Sequence, residues 1–174
     1  IAAFDLSRLV SLTNAAEPGA LEQLVSDVEQ VGPIDTMVYN LGAQIGNRSL
    51  EKTSLKTFEL GWQIACFGLF RLAKVLVPLM AARGKGTFLV TSATSAMRGN
   101  AGQHSHAAAM AGRRLLCQTL NAEYASQGIH VAHIVVDGAV DAPDTLGKML
   151  GEEAFAALRN TRGKEHDGLL LPEK

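Results

Sequence analysis

Gly86-Thr87-Phe88-Leu89-Val90-Thr91-Ser92 is the stretch on which the fold turns. From Thr87 to Val90 almost every residue is apolar or β-branched, the pattern of a strand covered on both faces. Such a strand needs helices on either side of it, and the flanking sequence supplies them. Downstream, a loop of small residues (Ser92 to Gly102) leads into a long helical pattern from about His104 to Ser126, ending near Gly128. Ile129 to Val136 (IHVAHIVV) reads as another buried strand, closed by Asp137-Gly138. Upstream, a second long helix runs from about Leu55 to Arg83 and stops at Gly84. Thr53 or Ser54 can cap it, and Pro78 predicts a bend or break near its last turn. Before that lies a compact strand, Ile34 to Tyr39 (IDTMVY), ending at Asn40-Leu41-Gly42. Leu21, Leu24, Val25 and Val28 recur at spacings of three and four, the stripe of an amphipathic helix. Pro18 fits its first turn and Gly32-Pro33 stops it. Leu9-Val10-Ser11-Leu12 suggests one further strand. The tail beyond Asp144 holds a short helix, Gly151 to Leu158, and a charged end.

Strands alternating with helices, and strands apolar throughout, predict an α/β fold with a parallel sheet covered by helices on both faces. In such sheets the ligand crevice lies at the carboxyl ends of the strands. Three loops fall there: Asn40-Leu41-Gly42, Thr91 to Gly102, and Asp137 to Pro143. All are rich in glycine, small residues and hydroxyls. From spacing alone, tight strand exits and a ligand crevice explain them equally well.

Composition narrows the classes. The 174 residues carry 16 Lys+Arg against 17 Asp+Glu, a formal charge of −1. That balance offers no general attraction to nucleic acid or to an anionic membrane. At 47% hydrophobic and 19% charged the chain is globular, and a domain of this length buries roughly 70% of its unfolded surface. Cys66 and Cys117 sit in apolar helical patterns, without metal-ligand spacing, so no disulfide framework and no metal site are expected. The most apolar region, Leu60 to Ala82, is interrupted by Arg71 and Lys74; its longest charge-free run, Leu60 to Phe70, is too short to span a bilayer. These features predict a single cytoplasmic domain over residues 1–174.

At the same loops the sequence resembles the short-chain dehydrogenase/reductase family. Asn40-Leu41-Gly42 is similar to that family's Asn-Ala-Gly element, and Gly32-Pro33-Ile34-Asp35 to the lead-in of its strand. Gly86 to Ser92 resembles the strand carrying the catalytic serine. Gly128-Ile129-His130-Val131, on through Asp137-Gly138-Ala139-Val140-Asp141-Ala142-Pro143, resembles the sixth strand and its cofactor loop. The pieces occur in the family's order from about Val10 to Pro143. The resemblance implies a Rossmann-like, doubly wound parallel sheet binding NAD or NADP, with residues 144–174 as the lid-like, variable tail of an incomplete domain. It also implies hydride transfer between the nicotinamide and a small carbonyl or alcohol, and a homodimer or homotetramer paired through the two long helices. The implied cofactor contacts are Asn14, Asn40, Leu41, Gly42, Thr91, Met110, Gly138 and Val140. Asp5, at the end of what resembles the second strand, favours NAD.

Two departures from that pattern stand out. No glycine-rich turn for the pyrophosphate occurs, and the chain stops where the family continues, so the sequence reads as incomplete at both ends. The catalytic set is also altered. Anchored on Arg114-Leu115-Leu116-Cys117-Gln118-Thr119, the family's tyrosine falls on His106 and its lysine on Met110. Its helix asparagine falls near Ala65, and its serine on Ser92, with Thr94 as the neighbouring alternative. A tyrosine with an ordinary pKa near ~10 needs a cation beside it, whereas an imidazole exchanges protons near neutrality unaided. Ser92 and His106 are therefore the expected catalytic pair. The competing reading is that His106 is incidental in an alanine-rich helix. The protein would then be a catalytically silent relative serving as a dinucleotide-binding or oligomerising module. A plain flavodoxin-like α/β domain is the third possibility.

The remaining residues have simpler expectations. His104 and His106 lie two apart and face different ways on a helix. His130 and His133 read as local hydrogen-bonding groups of a buried strand. Trp62, Phe67 and Phe70 follow helical spacing and suit a core or an interface. Arg71, Lys74, Arg113 and Arg114 are expected to be solvated or interfacial charges.

Overall fold

A computed structural model describes residues 14–42, 49–138, 140, 142–148 and 151–162. The expected strand at Leu9–Leu12 and the ribose-binding Asp5 lie outside the described residues. The chain forms two compact units, residues 1–135 and 136–174.

In the larger unit, α1 (Ala20–Val31) precedes β1 (Thr36–Tyr39). Then α2 (Leu55–Trp62), a π-helical turn (Gln63–Phe67) and α3 (Gly68–Ala82) form one nearly continuous rod. Next come β2 (Gly86–Ala93), a 3-10 turn (Thr94–Ala96), α4 (His104–Tyr124) and β3 (Ile129–Val136). The sheet order is β1-β2-β3. β1 runs parallel to β2, with Thr36 opposite Thr87 and Tyr39 opposite Val90.

β2 is the central strand, and its burial explains its composition. Gly86, Phe88, Val90 and Ser92 are buried, while the residues between them are half-buried, so both faces are covered. The strand continues through Ser92 and Ala93, farther than the loop expected from Ser92 onward. β3 is wetter than IHVAHIVV suggested: Ile129 and Val131 are buried, but Ile134 and Val135 are more than one-third exposed. Three α3 residues that are fully sealed from solvent (Leu69, Leu76 and Met80) pack with Leu21 and Val25 of α1, with Phe88, Val90 and Ile129 of the sheet, and with Cys117 of α4. Burying each large aliphatic side chain contributes about 1.5–3 kcal/mol before entropy is counted.

The long upstream helix is interrupted, but not at Pro78. That residue lies inside α3 without ending it, and the irregularity falls at the π-turn instead. Ser54 is the cap, its Oγ accepting from Thr57 N at 3.1 Å. By length and composition, Leu55–Ala82 is long and apolar enough to cross a membrane; half of its most apolar window is buried within this fold.

Arg71 is not the solvated charge expected. Its side chain is 11% exposed, and it grips the carboxylate of Glu22 and the carbonyls of Ala15 (3.1 Å) and Glu17 (2.9 Å), tying α3 to the entry of α1. Arg83 likewise joins Glu29 and the Ile34 carbonyl. Gly128 has φ +79°, and a Cβ there would collide with the Gly84 carbonyl, so the turn before β3 requires glycine.

In the smaller unit, a π-helical turn (Pro143–Gly147) precedes α5 (Glu152–Arg162), which outlasts the helix expected at 151–158. Phe155 is buried against Gly147.

Candidate functional site

Because β1 and β2 are parallel and in register, their carboxyl ends emerge side by side, with Tyr39 across from Val90. Asn40-Leu41-Gly42 and Thr91-Ser92 therefore leave the sheet together, as the crevice rule for such sheets anticipates. Thr91 Oγ1 lies within donating distance of the Asn40 side-chain oxygen and of the Tyr39 carbonyl (3.2 Å), which pins the two exits to each other. Among the described residues, no heavy atom lies within 4 Å of where a Cβ on Gly42 would stand.

α4 supplies the next wall. His106 and Met110 are one turn apart on one face, and both are buried (4% and 2% exposed). The Ser92 hydroxyl donates to the Met110 sulfur at 3.6 Å. Ala65, Ala96, Ala109 and Met110 make a small apolar cluster of their own. Ser92 and Met110 are thus in contact, and His106 lies one turn before Met110 on the same face of α4.

The structure corrects the expectation for Arg113. It is the only Lys, Arg, Asp or Glu that is buried among the described residues. Its Nε donates to the Ala65 carbonyl and its Nη1 to the Thr91 carbonyl, both at 2.7 Å, and its Nη2 donates to the Leu41 carbonyl. The guanidinium also lies 5.0 Å from the centre of the Tyr39 ring. The Tyr39 hydroxyl in turn donates to the Ile64 carbonyl. The π-turn gives these donors their targets: Gly68 N reaches back to Gln63 O, and side chains from β1 and α4 serve the Ile64 and Ala65 carbonyls. A Cβ on Gly68 would collide with the Tyr39 hydroxyl. π-turns of this kind recur at functional sites.

Burial dominates the electrostatics here. It pushes the Tyr39 phenol up to about 12 and the Cys117 thiol up to about 11, against the opposing pull of the Arg113 cation. Burial raises Cys66 too, and lowers the proton affinity of Arg113 itself.

The other assigned contacts have their own settings. Asn14 spends its side chain on its own exposed turn: Oδ1 accepts from Ala16 N and Nδ2 donates to Glu17, both at 3.1 Å. Gly138 (φ 147°) and Val140 (40% exposed) belong to the smaller unit. His133 is half-buried with its Nε2 unpartnered among the described residues, rather than hydrogen-bonded locally. Trp62, Phe67 and Phe70 stack along α2 and α3 at 5.4 and 6.4 Å, with Trp62 and Phe70 about half exposed. Cys66 and Cys117 are free thiols.

Residues 3–162 match a family model described as enoyl-(acyl carrier protein) reductase. A curated relative, the 3-oxoacyl-[acyl-carrier-protein] reductase of Salmonella typhimurium, is 26% identical over 135 residues, 77% of this chain and 54% of that protein. The chain spans between 18% and 54% of the curated relatives' lengths. A solved 3-oxoacyl (acyl-carrier-protein) reductase from Agrobacterium tumefaciens with NADP bound superposes with a TM-score of 0.78 at 19% identity, covering 92% of this chain and 61% of that one. A short-chain dehydrogenase from Rhodopseudomonas palustris gives 0.67 at 24%, covering 90% and 68%. At these identities the structures speak for the fold: a Rossmann-like, doubly wound parallel sheet.

Proposed function

We propose, from the premise that this chain belongs to the short-chain dehydrogenase/reductase family, that it forms the core of an oxidoreductase using NAD or NADP on a small carbonyl or alcohol. The observation that carries this reading is the contact of Ser92, near the end of β2, with Met110 on α4, one helical turn from the buried His106. The residues at the β1 and β2 exits fit a dinucleotide. Backbone can approach it at Gly42, where no described residue would crowd a Cβ, and Asn40 and Thr91 meet at the same strand exits. When bound, the dinucleotide supplies the hydride chemistry. Ser92 holds the reacting oxygen by hydrogen bonding, and His106 gives or takes the proton. The thioether of Met110 is a weak acceptor, so the Ser92 hydroxyl can turn to a stronger one. Met110 brings no ammonium for the ribose hydroxyls, which sets this site apart from the pattern its sequence resembles.

The test is a fluorescence titration of the full-length protein with NADH and NADPH. Saturable binding of either is expected, and the preferred one tests Asp5. No binding at millimolar cofactor would overturn the reading.

A second reading, a catalytically silent relative that binds dinucleotide or oligomerises, draws on the methionine beside Ser92 and on the exposed aromatic stack of α2 and α3. In both readings the protein is cytoplasmic and pairs through its long helices as a homodimer or homotetramer. Turnover that collapses in His106→Ala favours the oxidoreductase; turnover that survives removes His106 from its proton role.

A further inference from the structure

Arg113 is buried without a carboxylate partner among the described residues. A buried charge needs compensation, and here three neutral carbonyls and an aromatic face supply it. Those carbonyls come from three segments distant in sequence: Leu41 after β1, Thr91 near the end of β2, and Ala65 in the π-turn. Leu41 and Thr91 belong to the strand exits of the proposed crevice, and Ala65 packs with Met110. A guanidinium is a rigid planar fork of donors, so bonds to all three fix their mutual placement; a lysine ammonium is a point charge on a flexible stem and cannot span them. Tyr39 reinforces the lock, since its ring backs the guanidinium and its hydroxyl holds the neighbouring Ile64 carbonyl.

We propose that Arg113 is the positioning residue of the crevice, holding the β1 exit, the β2 exit and the π-turn at fixed mutual distances so that Ser92 and His106 face a bound ligand from a preset frame. Preorganisation of this kind matters because small misplacements of a binding group cost large factors in affinity or rate. Only the ligand-binding part of the proposal rests on the oxidoreductase reading.

The experiment compares the full chain with its Arg113→Met and Arg113→Lys variants by amide hydrogen exchange, thermal melting and titration with NADH and NADPH. In R113M, exchange is expected to rise at least tenfold at residues 40–42, 63–68 and 91–93 together, while α1 and the Thr36–Val38 strand keep their protection. Cooperative melting should persist, dinucleotide affinity should fall at least tenfold, and R113K should recover part of both. Exchange that rises uniformly, or only along α4, overturns the proposal. So does unchanged affinity once the three segments have loosened. If R113M does not fold, R113K alone decides: protection lost in at least one of the three segments supports the lock, and protection retained in all three overturns it. Should the parent bind neither nucleotide, the cofactor reading fails and the exchange pattern still judges Arg113.

Discussion

The Ser92 hydroxyl and the Met110 sulfur stand 3.6 Å apart, a weak hydrogen bond across the wall between β2 and α4. The contact puts a thioether, and no cation, beside the Ser92 hydroxyl. The buried positive charge of this region sits instead at Arg113, three residues along the same helix, with each of its three nitrogens bonded to a backbone carbonyl. Charge beneath the crevice can hold its frame, but those donors are already spent on carbonyls.

Introducing the missing cation tests how intact the rest of the site is. Met110 is 2% exposed and packs with Ala65, Ala96 and Ala109. Met110→Lys alone should therefore lower the thermal midpoint, since an unpaired buried ammonium costs several kcal/mol. Combined with His106→Tyr, it should raise NADPH-dependent turnover of small carbonyls at least tenfold over Met110→Lys alone, followed as cofactor consumption. No gain would mean that the remaining crevice has also lost its fit.

Alkaline stability should report Tyr39. Its pKa is pushed up to about 12 by burial, above its ordinary value, so the folded chain keeps a neutral phenol where the unfolded chain ionises. The associated stability is present in full below about pH 10 and is lost as pH rises from there toward about 12. Tyr39→Phe should abolish that limb. It should also cost about 1–3 kcal/mol at neutral pH by orphaning the Ile64 carbonyl, measured by urea unfolding.

Thiol chemistry offers an independent reading of burial. With Cys117 raised to about 11 from 9.0, its thiolate fraction at neutral pH falls about a hundredfold. Cys66 is also raised and is 9% exposed. Neither cysteine should alkylate in the native protein over the time in which both react in denaturant. Rapid labelling of native Cys117 would show that the α4 core opens readily.

Two glycines separate torsional from steric cost. Gly84 and Gly128 both have left-handed backbones, but only at Gly128 would a Cβ meet backbone, the Gly84 carbonyl. Gly84→Ala should cost about 1–2 kcal/mol from torsion alone. Gly128→Ala should cost clearly more, with the difference read from chemical denaturation. Equal costs would mean that the turn yields without strain.

Acid stability should depend on Glu29. The Ile34 backbone N–H and the Arg83 guanidinium hold its carboxyl below the ordinary range. Its contribution is present above the ordinary carboxylate pKa and is lost as pH falls through the lower folded value. Glu29→Gln should flatten the acid limb of a stability–pH curve.

By itself the sequence determined the sheet and its helices, because those rest on local pattern. Thr87 to Val90 is apolar or β-branched throughout and reads as a covered strand, and the α1 stripe repeats with the helical period. The resemblance assigned roles to Ser92, His106 and Met110, and the helical period by itself puts His106 and Met110 on one face. Even Arg113 was within reach. His106, Met110, Arg113, Cys117 and Leu120 recur at spacings of four and three, and all are buried, yet a lone arginine reads as solvated until its acceptors are known. Those acceptors were the part that only tertiary structure decided. The π-turn at Gln63–Phe67 carries ordinary helical apolar spacing, and its carbonyls are met by Tyr39 and Arg113 arriving from β1 and α4. The partners of Asn14, by contrast, lie within its own turn. Local periodicity fixes which face of an element is buried, but the partner of a buried polar group is set by segments far away in the chain, and no window of sequence contains both.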